Sequence, residues 1–194
     1  MPNWVYNSVS IDGPKKVVEA FVASKITGED SKFDFAKIIV PPADKAEEYN
    51  AVAMSGTPAM TDPYNWYNWN TKHWGTKWNA CEVWVTSEDC GDGQMHFEAH
   101  FQTAWDLPRG IMDRLAYMCE AYDLTLTWYG EEEQGWSEEW SNLEGEFRCV
   151  EKLNIPSSHA DYVSRDKSCV CECGVDRQWW FDDCPQLDRA SLIG

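Results

Sequence analysis

The chain has 194 residues, of which 43% are hydrophobic, and it carries 12 tryptophans and a formal charge of -17. That length supports one well-buried core, or one core with a small appendage. No apolar run approaches the roughly 20 residues that cross a bilayer, so a soluble protein with no membrane partner is expected.

The charge is unevenly placed. Residues 1–80 hold 9 acidic and 8 basic side chains, whereas residues 81–194 hold 24 and 8. Binding to a phosphate backbone draws on Lys and Arg that displace counterions, so direct nucleic-acid binding is disfavoured. The acidic surface either maintains solubility or steers toward a basic protein. The opening MPNWVYNSVS lacks the basic start and apolar stretch of a secretory signal, so the 8 cysteines are expected in a reducing cytoplasm, where disulfides are not the default.

In chain order, WVYNSVSI (4–11) alternates, with Val5, Asn7, Val9 and Ile11 on one side and Trp4, Tyr6, Ser8 and Ser10 on the other. Asp12, Gly13 and Pro14 supply turn chemistry and a proline suited to a first helical turn. Val17, Val18, Phe21 and Val22 then recur at helical spacing. A long insertion follows (26–80), about 55 residues where a compact domain uses about 4–6. It contains FDFAKIIVPP and ends in HWGTKWNA (73–80).

Past the insertion, CEVWVTS and QMHFEAHF alternate around EDCGDG, a hairpin signal. Ile111, Met112, Leu115, Met118 and Cys119 form one helical stripe after Pro108, and LTLTWYG (124–130) alternates again. The order strand, helix, strand, strand, helix, strand predicts an α+β ferredoxin-like βαββαβ sandwich, an antiparallel sheet with both helices on one face. The expected organisation is a domain over 1–152 and a Cys- and Trp-rich appendage over 153–194 docked on it.

PNWVYNSVSIDG, FDFAKIIVPP, HWGTKWNA, FQTAW with Pro108, and LTWYGEEEQGW together resemble the YubB-type ferredoxin-like domain family of phages, conjugative plasmids and integrated elements. The resemblance spans roughly residues 1–140, and HWGTKWNA is its most specific part. It implies a ferredoxin-like fold and a mobile-element origin, so the cytoplasm expected above is that of a bacterial host. It carries no catalytic residues to this chain.

With Val83, Val85, Met95, Phe97, Phe101, Leu124 and Leu126 toward the helices, period-two geometry sends Glu82, Trp84, Thr86, His96, Glu98, His100 and Tyr129 to the opposite face, joined by Trp4 and Tyr6. The insertion is the expected cover for that face. Two readings of its end stand together. HWGTKWNA is a core-completing lid in which Gly75 permits a tight turn and Asn79 satisfies local amides. Alternatively, it walls a pocket for a small, nucleotide-like anion, lined by Trp74, Lys77, Trp78, Asn79, Trp84, His96, Glu98, His100 and Trp105. His96 and His100 stand roughly 13 Å apart along a strand and cannot share one ion, although either can join Glu98.

EEEQGWSEEW (131–140) reads as a solvated loop leading to a further strand around EGEFRCVEKL, or as a partner-binding ridge of Glu131, Glu132 and Glu133 anchored by Trp136 and Trp140. Cys169, Cys171, Cys173 and Cys184, with His159 upstream, offer four thiolates to a structural zinc ion, or are ordinary reduced cysteines, or form a disulfide.

No nucleophile or known catalytic motif stands out. The expectation, with the mobile-element origin taken from the resemblance, is a non-catalytic accessory protein that binds and blocks or sequesters a host factor in counter-defence. The alternatives are a sequestering protein for a small anionic ligand and a metal-dependent hydrolase.

Overall fold

Alternation beginning at Trp4 sets the middle of a six-stranded sheet. In the computed structural model, which describes residues 3–51, 61–132, 136–143 and 145–154, β1 (Trp4–Pro14) pairs antiparallel on both sides. It meets β3 (Gln94–Ala104) on one flank and β4 (Thr125–Glu132) on the other. β2 (Cys81–Gly91) lies outside β3, while β5 (Trp136–Ser141) and β6 (Arg148–Asn154) extend the β4 side. The order is β2-β3-β1-β4-β5-β6, and every pairing is antiparallel. The fold is α+β with an open sheet.

The turn expected at Asp12, Gly13 and Pro14 is absent. These residues continue β1 and pair with His96, Met95 and Gln94, because a waiting partner strand outweighs local turn preference. α1 (Lys15–Phe21) starts directly after Pro14, which occupies the N-cap, and passes into a π-helical turn over Val22–Ile26. Asp92 and Gly93, with φ of 50° and 75°, close the β2–β3 hairpin in two residues, the left-handed geometry that matches strand twist.

α5 (Arg109–Ala121) buries the expected stripe of Ile111, Met112, Leu115, Met118 and Cys119. Val5, Val9, Ile11, Phe97, Phe101, Leu126 and Trp128 are buried on the sheet side of that core. The assignment of Phe97 inward and His96 outward therefore matches the period-two reading.

The insertion contributes α2 (Phe35–Ile38), α3 (Ala46–Asn50) and α4 (Trp66–His73). Among the described residues, Trp78 reaches the opposite face at Trp4, but Tyr6, Trp84 and Tyr129 on that face are left exposed. Phe33 stacks on Phe101 at 4.8 Å and meets Trp128 edge-on at 6.4 Å, while Phe35 meets Trp74 at 5.8 Å. Phe101 and Trp128 belong to the buried side, so the insertion packs beside the helices and completes their core. The expectation of a lid over the other face is corrected. Apolar groups of the insertion bury more fully against Phe101 and Trp128 than they would against a face studded with carboxylates and imidazoles.

Two glycines let the insertion approach α5. Gly75 has φ of 89°, and a side chain there would meet the Arg109 amide nitrogen at 2.8 Å. A Cβ on Gly110 would run into the backbone carbonyl of His73. HWGTKWNA thus seats its backbone directly on the first turn of α5.

The acidic run is also not a loop throughout. β4 continues to Glu132, and Trp136 starts β5. Glu138 is buried because Arg109 Nη2 donates to it at 2.9 Å, Lys152 Nζ at 3.0 Å and Trp140 Nε1 at 3.0 Å. Burial alone would raise its pKa, but these three donors outweigh that cost and hold the carboxyl below its ordinary value. The cluster ties α5 to β5 and β6.

Candidate functional site

The sheet face turned away from the helices carries no cover among the described residues at three of its four large aromatics: Trp84 is 58% exposed, Tyr6 43% and Tyr129 37%, whereas Trp4 packs against Trp78. Pairing registers set its side chains in rows. One row runs Trp84, His100, Ser8, Tyr129, Glu139, Glu151 from β2 to β6. The next runs Thr86, Glu98, Ser10, Thr127, Ser141. A further row holds Glu88, His96, Asp12 and Thr125. Neighbours within a row sit about 4.8 Å apart and rows repeat about every 7 Å, so the face is a grid of carboxylates, imidazoles and rings.

Many of these groups are held by a neighbour. The Ser8 hydroxyl donates to Glu98 at 3.0 Å, and His100 Nε2 lies 3.3 Å from the other Glu98 oxygen. The His100 ring stacks on Trp84 at 5.2 Å. His96 Nδ1 lies 2.7 Å from Asp12 Oδ1. The Tyr129 hydroxyl donates to Glu131 at 2.7 Å, and burial and then that carboxylate push its pKa up. Only Asp12 among these escapes the sequence pattern, because its DGP context reads as a turn.

The expected pocket residues separate into three places. Trp74 is 3% exposed in the core, where its indole N–H donates to the Ile39 carbonyl at 3.0 Å. Asn79 accepts from the amides of Phe35 and Ala80 and donates to Asp34, so it pins the insertion as anticipated. Trp84, His96, Glu98 and His100 lie on the open face. Strict alternation fails beside them at Glu82, whose φ of 52° falls in the β-bulge between Cys81 and Trp84.

The third group is a clamp at the Trp4 end of the sheet. Lys77 Nζ stands 3.9 Å from the ring centroids of both Trp78 and Trp105. Trp78 packs on Trp4 at 5.8 Å, and Trp105 meets Tyr67 edge-on at 6.5 Å. Buried Asn70 donates to the Lys77 carbonyl at 2.9 Å, and buried Thr76 donates to the Ala104 carbonyl at 3.0 Å. Trp105 has φ of 76°, a conformation that costs a bulky residue about 1–3 kcal/mol. Exposed cation–π contacts contribute about 0.5–1 kcal/mol each, so stability gives little net reason for an indole at 105.

The partner-binding residues also separate. Glu131 lies on the open face. Glu132 accepts from Asn3 at 2.9 Å and shares the helix side with its cross-strand partner Trp136. Trp136 and Trp140 pack partly against the core, and Arg109 lies over Trp140 at 5.4 Å. Glu133 lies outside the described residues, as do His159, Cys169, Cys171, Cys173 and Cys184 of the zinc reading. Among the described residues no group of three His, Cys, Asp or Glu is placed to hold a metal ion, and no helix is long and apolar enough to cross a membrane.

No protein-family model matches the chain, and no curated protein matches it. It is similar to the crystal structure of a protein api92 from Yersinia pseudotuberculosis, family-model DUF1281, with a TM-score of 0.46 and 8% identity over 80% of this chain and 99% of that one.

Proposed function

We propose that this protein is a non-catalytic binding module whose open sheet face engages a basic surface of a host protein, blocking or sequestering it. The observation that carries the reading is the grid of Tyr6, Trp84 and Tyr129 among Asp12, Glu98, Glu131, Glu139 and Glu151, which the described residues leave exposed at its aromatic rings. Large half-exposed aromatics supply anchors, and surrounding carboxylates supply complementarity to Arg and Lys and speed the encounter. An exposed face of this kind is unusual on a soluble protein without a partner.

The finer fold reading belongs here too. The order β1-α1-β2-β3-α5-β4, with β1 central between β3 and β4, supports a ferredoxin-like sandwich extended by β5 and β6. The YubB-type likeness supports a mobile-element origin, and counter-defence is the role that fits such an origin.

An octa-arginine peptide is the probe for the electrostatic part of this reading. Reversing Glu98, Glu139 and Glu151 to lysine together is expected to weaken binding at least tenfold in calorimetry at low salt. Reversing Asp113, Glu120 and Glu146, on α5 and the β5–β6 connection, is expected to weaken it about threefold or less, since exposed charges away from the contact are screened. Equal losses from the two sets contradict the assignment.

A further inference from the structure

We infer that the Trp78–Lys77–Trp105 clamp is a binding site for a small planar anion: a nucleotide-sized ring bearing one phosphate or carboxylate. The site is separate from the sheet-face reading and stands or falls without it.

The first argument is charge. Lys77 has three N–H donors, and among the described residues no carboxylate lies within ion-pair distance of it, although the chain is strongly acidic. Its ammonium is held by two π faces, which attract the charge without using its hydrogen-bonding capacity.

The second argument is preorganisation. Buried Asn70 and Thr76 spend their side chains on fixing Lys77 and the strand end before Trp105. The Trp105 amide donates to the Asn3 carbonyl at 2.9 Å. The clamp residues are therefore placed before any ligand arrives, which lowers the ordering cost of binding.

The third argument is Trp105 itself. Glycine or asparagine would suit its left-handed backbone, yet the position carries an indole that remains 47% exposed. Strain kept at a half-exposed aromatic marks a functional position. Its accessible ring surface offers stacking to a planar ligand while Lys77 meets the anionic group. The net charge of the protein sets the size limit, because a single anionic group reaches one fixed ammonium whereas a polyanion is repelled by the rest of the surface.

The test follows the tryptophan indole N–H signals of the full chain by NMR while adenosine 5′-monophosphate is added, with adenosine, inorganic phosphate and a single-stranded oligonucleotide as separate arms. Saturable shifts at Trp78 and Trp105 are expected with the monophosphate, at least tenfold weaker with adenosine or phosphate alone, and weaker again with the oligonucleotide. Lys77→Met fills the same space without charge and is expected to lose at least tenfold in affinity. Lys77→Arg is expected to stay within about threefold, since guanidinium also packs on indoles. Trp105→Gly is expected to leave the melting temperature unchanged or higher while abolishing the response at Trp78.

No response to the monophosphate, equal binding of adenosine with no effect of Lys77→Met, or tighter binding of the oligonucleotide overturns the proposal. So does a Trp105→Gly protein that melts far lower and binds the monophosphate normally, which would make the clamp a packing staple.

Discussion

Substituting Gly110 by alanine is expected to be among the most damaging single-methyl changes in this protein, and Gly75→Ala close behind it. At Gly110 the added Cβ collides with the His73 carbonyl, and at Gly75 it approaches the Arg109 amide nitrogen to 2.8 Å on a backbone with φ of 89°. Both obstacles are main chain, so no rotamer change relieves them. α4 and the start of α5 must separate, at a cost of about 3 kcal/mol or more. In a chain of this size each kcal/mol lowers the melting temperature by about 2–4 °C, so a fall of roughly 6–12 °C is expected in calorimetry. Gly91, with open space around its Cβ position, is the control; alanine there meets only the cost of its left-handed backbone, about 1–2 kcal/mol. Equal losses at all three positions would contradict the close seating of the insertion on α5.

The second large effect separates the two sides of the sheet. Phe33 is fully buried between Phe101, Phe35 and Trp128, so Phe33→Ala is expected to cost about 3–5 kcal/mol in urea unfolding. Trp84→Ala removes a larger side chain, yet one that is 58% exposed and touches mainly His100. Its expected cost is about 0.5–1 kcal/mol, between that of an ordinary surface change and that of a partly packed ring. If the insertion lay over the open face, the order would reverse: Trp84 would be a core residue and Phe33 a surface one.

Strand parity was legible in the sequence because period two leaves a strong mark. Val5, Val9 and Ile11 oppose Tyr6 and Ser8, and Phe97 and Phe101 oppose His96 and His100. The helical stripe of α5 was legible for the same reason. The side chosen by the insertion was not. Its aromatic residues have a composition that suits either face, and the deciding contacts, Phe33 with Phe101 and Gly75 with Arg109, join segments far apart in the chain.

β5 was hidden differently. Trp136 and Trp140 are four residues apart with Glu138 between them, which reads as a charged loop until Arg109 and Lys152 arrive from other elements to satisfy that carboxylate. A buried charge is intelligible only with its partners, and those partners are not local. The pocket fragmented for a related reason: HWGTKWNA lies at the junction of core and surface, so Trp74 turns into the core while Lys77 and Trp78 turn toward Trp4 and Trp105.

The sheet face that the described residues leave uncovered is the feature on which the proposed binding role depends, and hydroxyl-radical footprinting of the full chain measures it directly. Trp84, Tyr6 and Tyr129 are expected to oxidise readily, while Trp74, Trp128 and Phe33 stay protected until the protein unfolds. Protection of Trp84, Tyr6 and Tyr129 in the folded, monomeric chain would mean that the chain covers this face itself, which would remove the surface proposed to meet a partner.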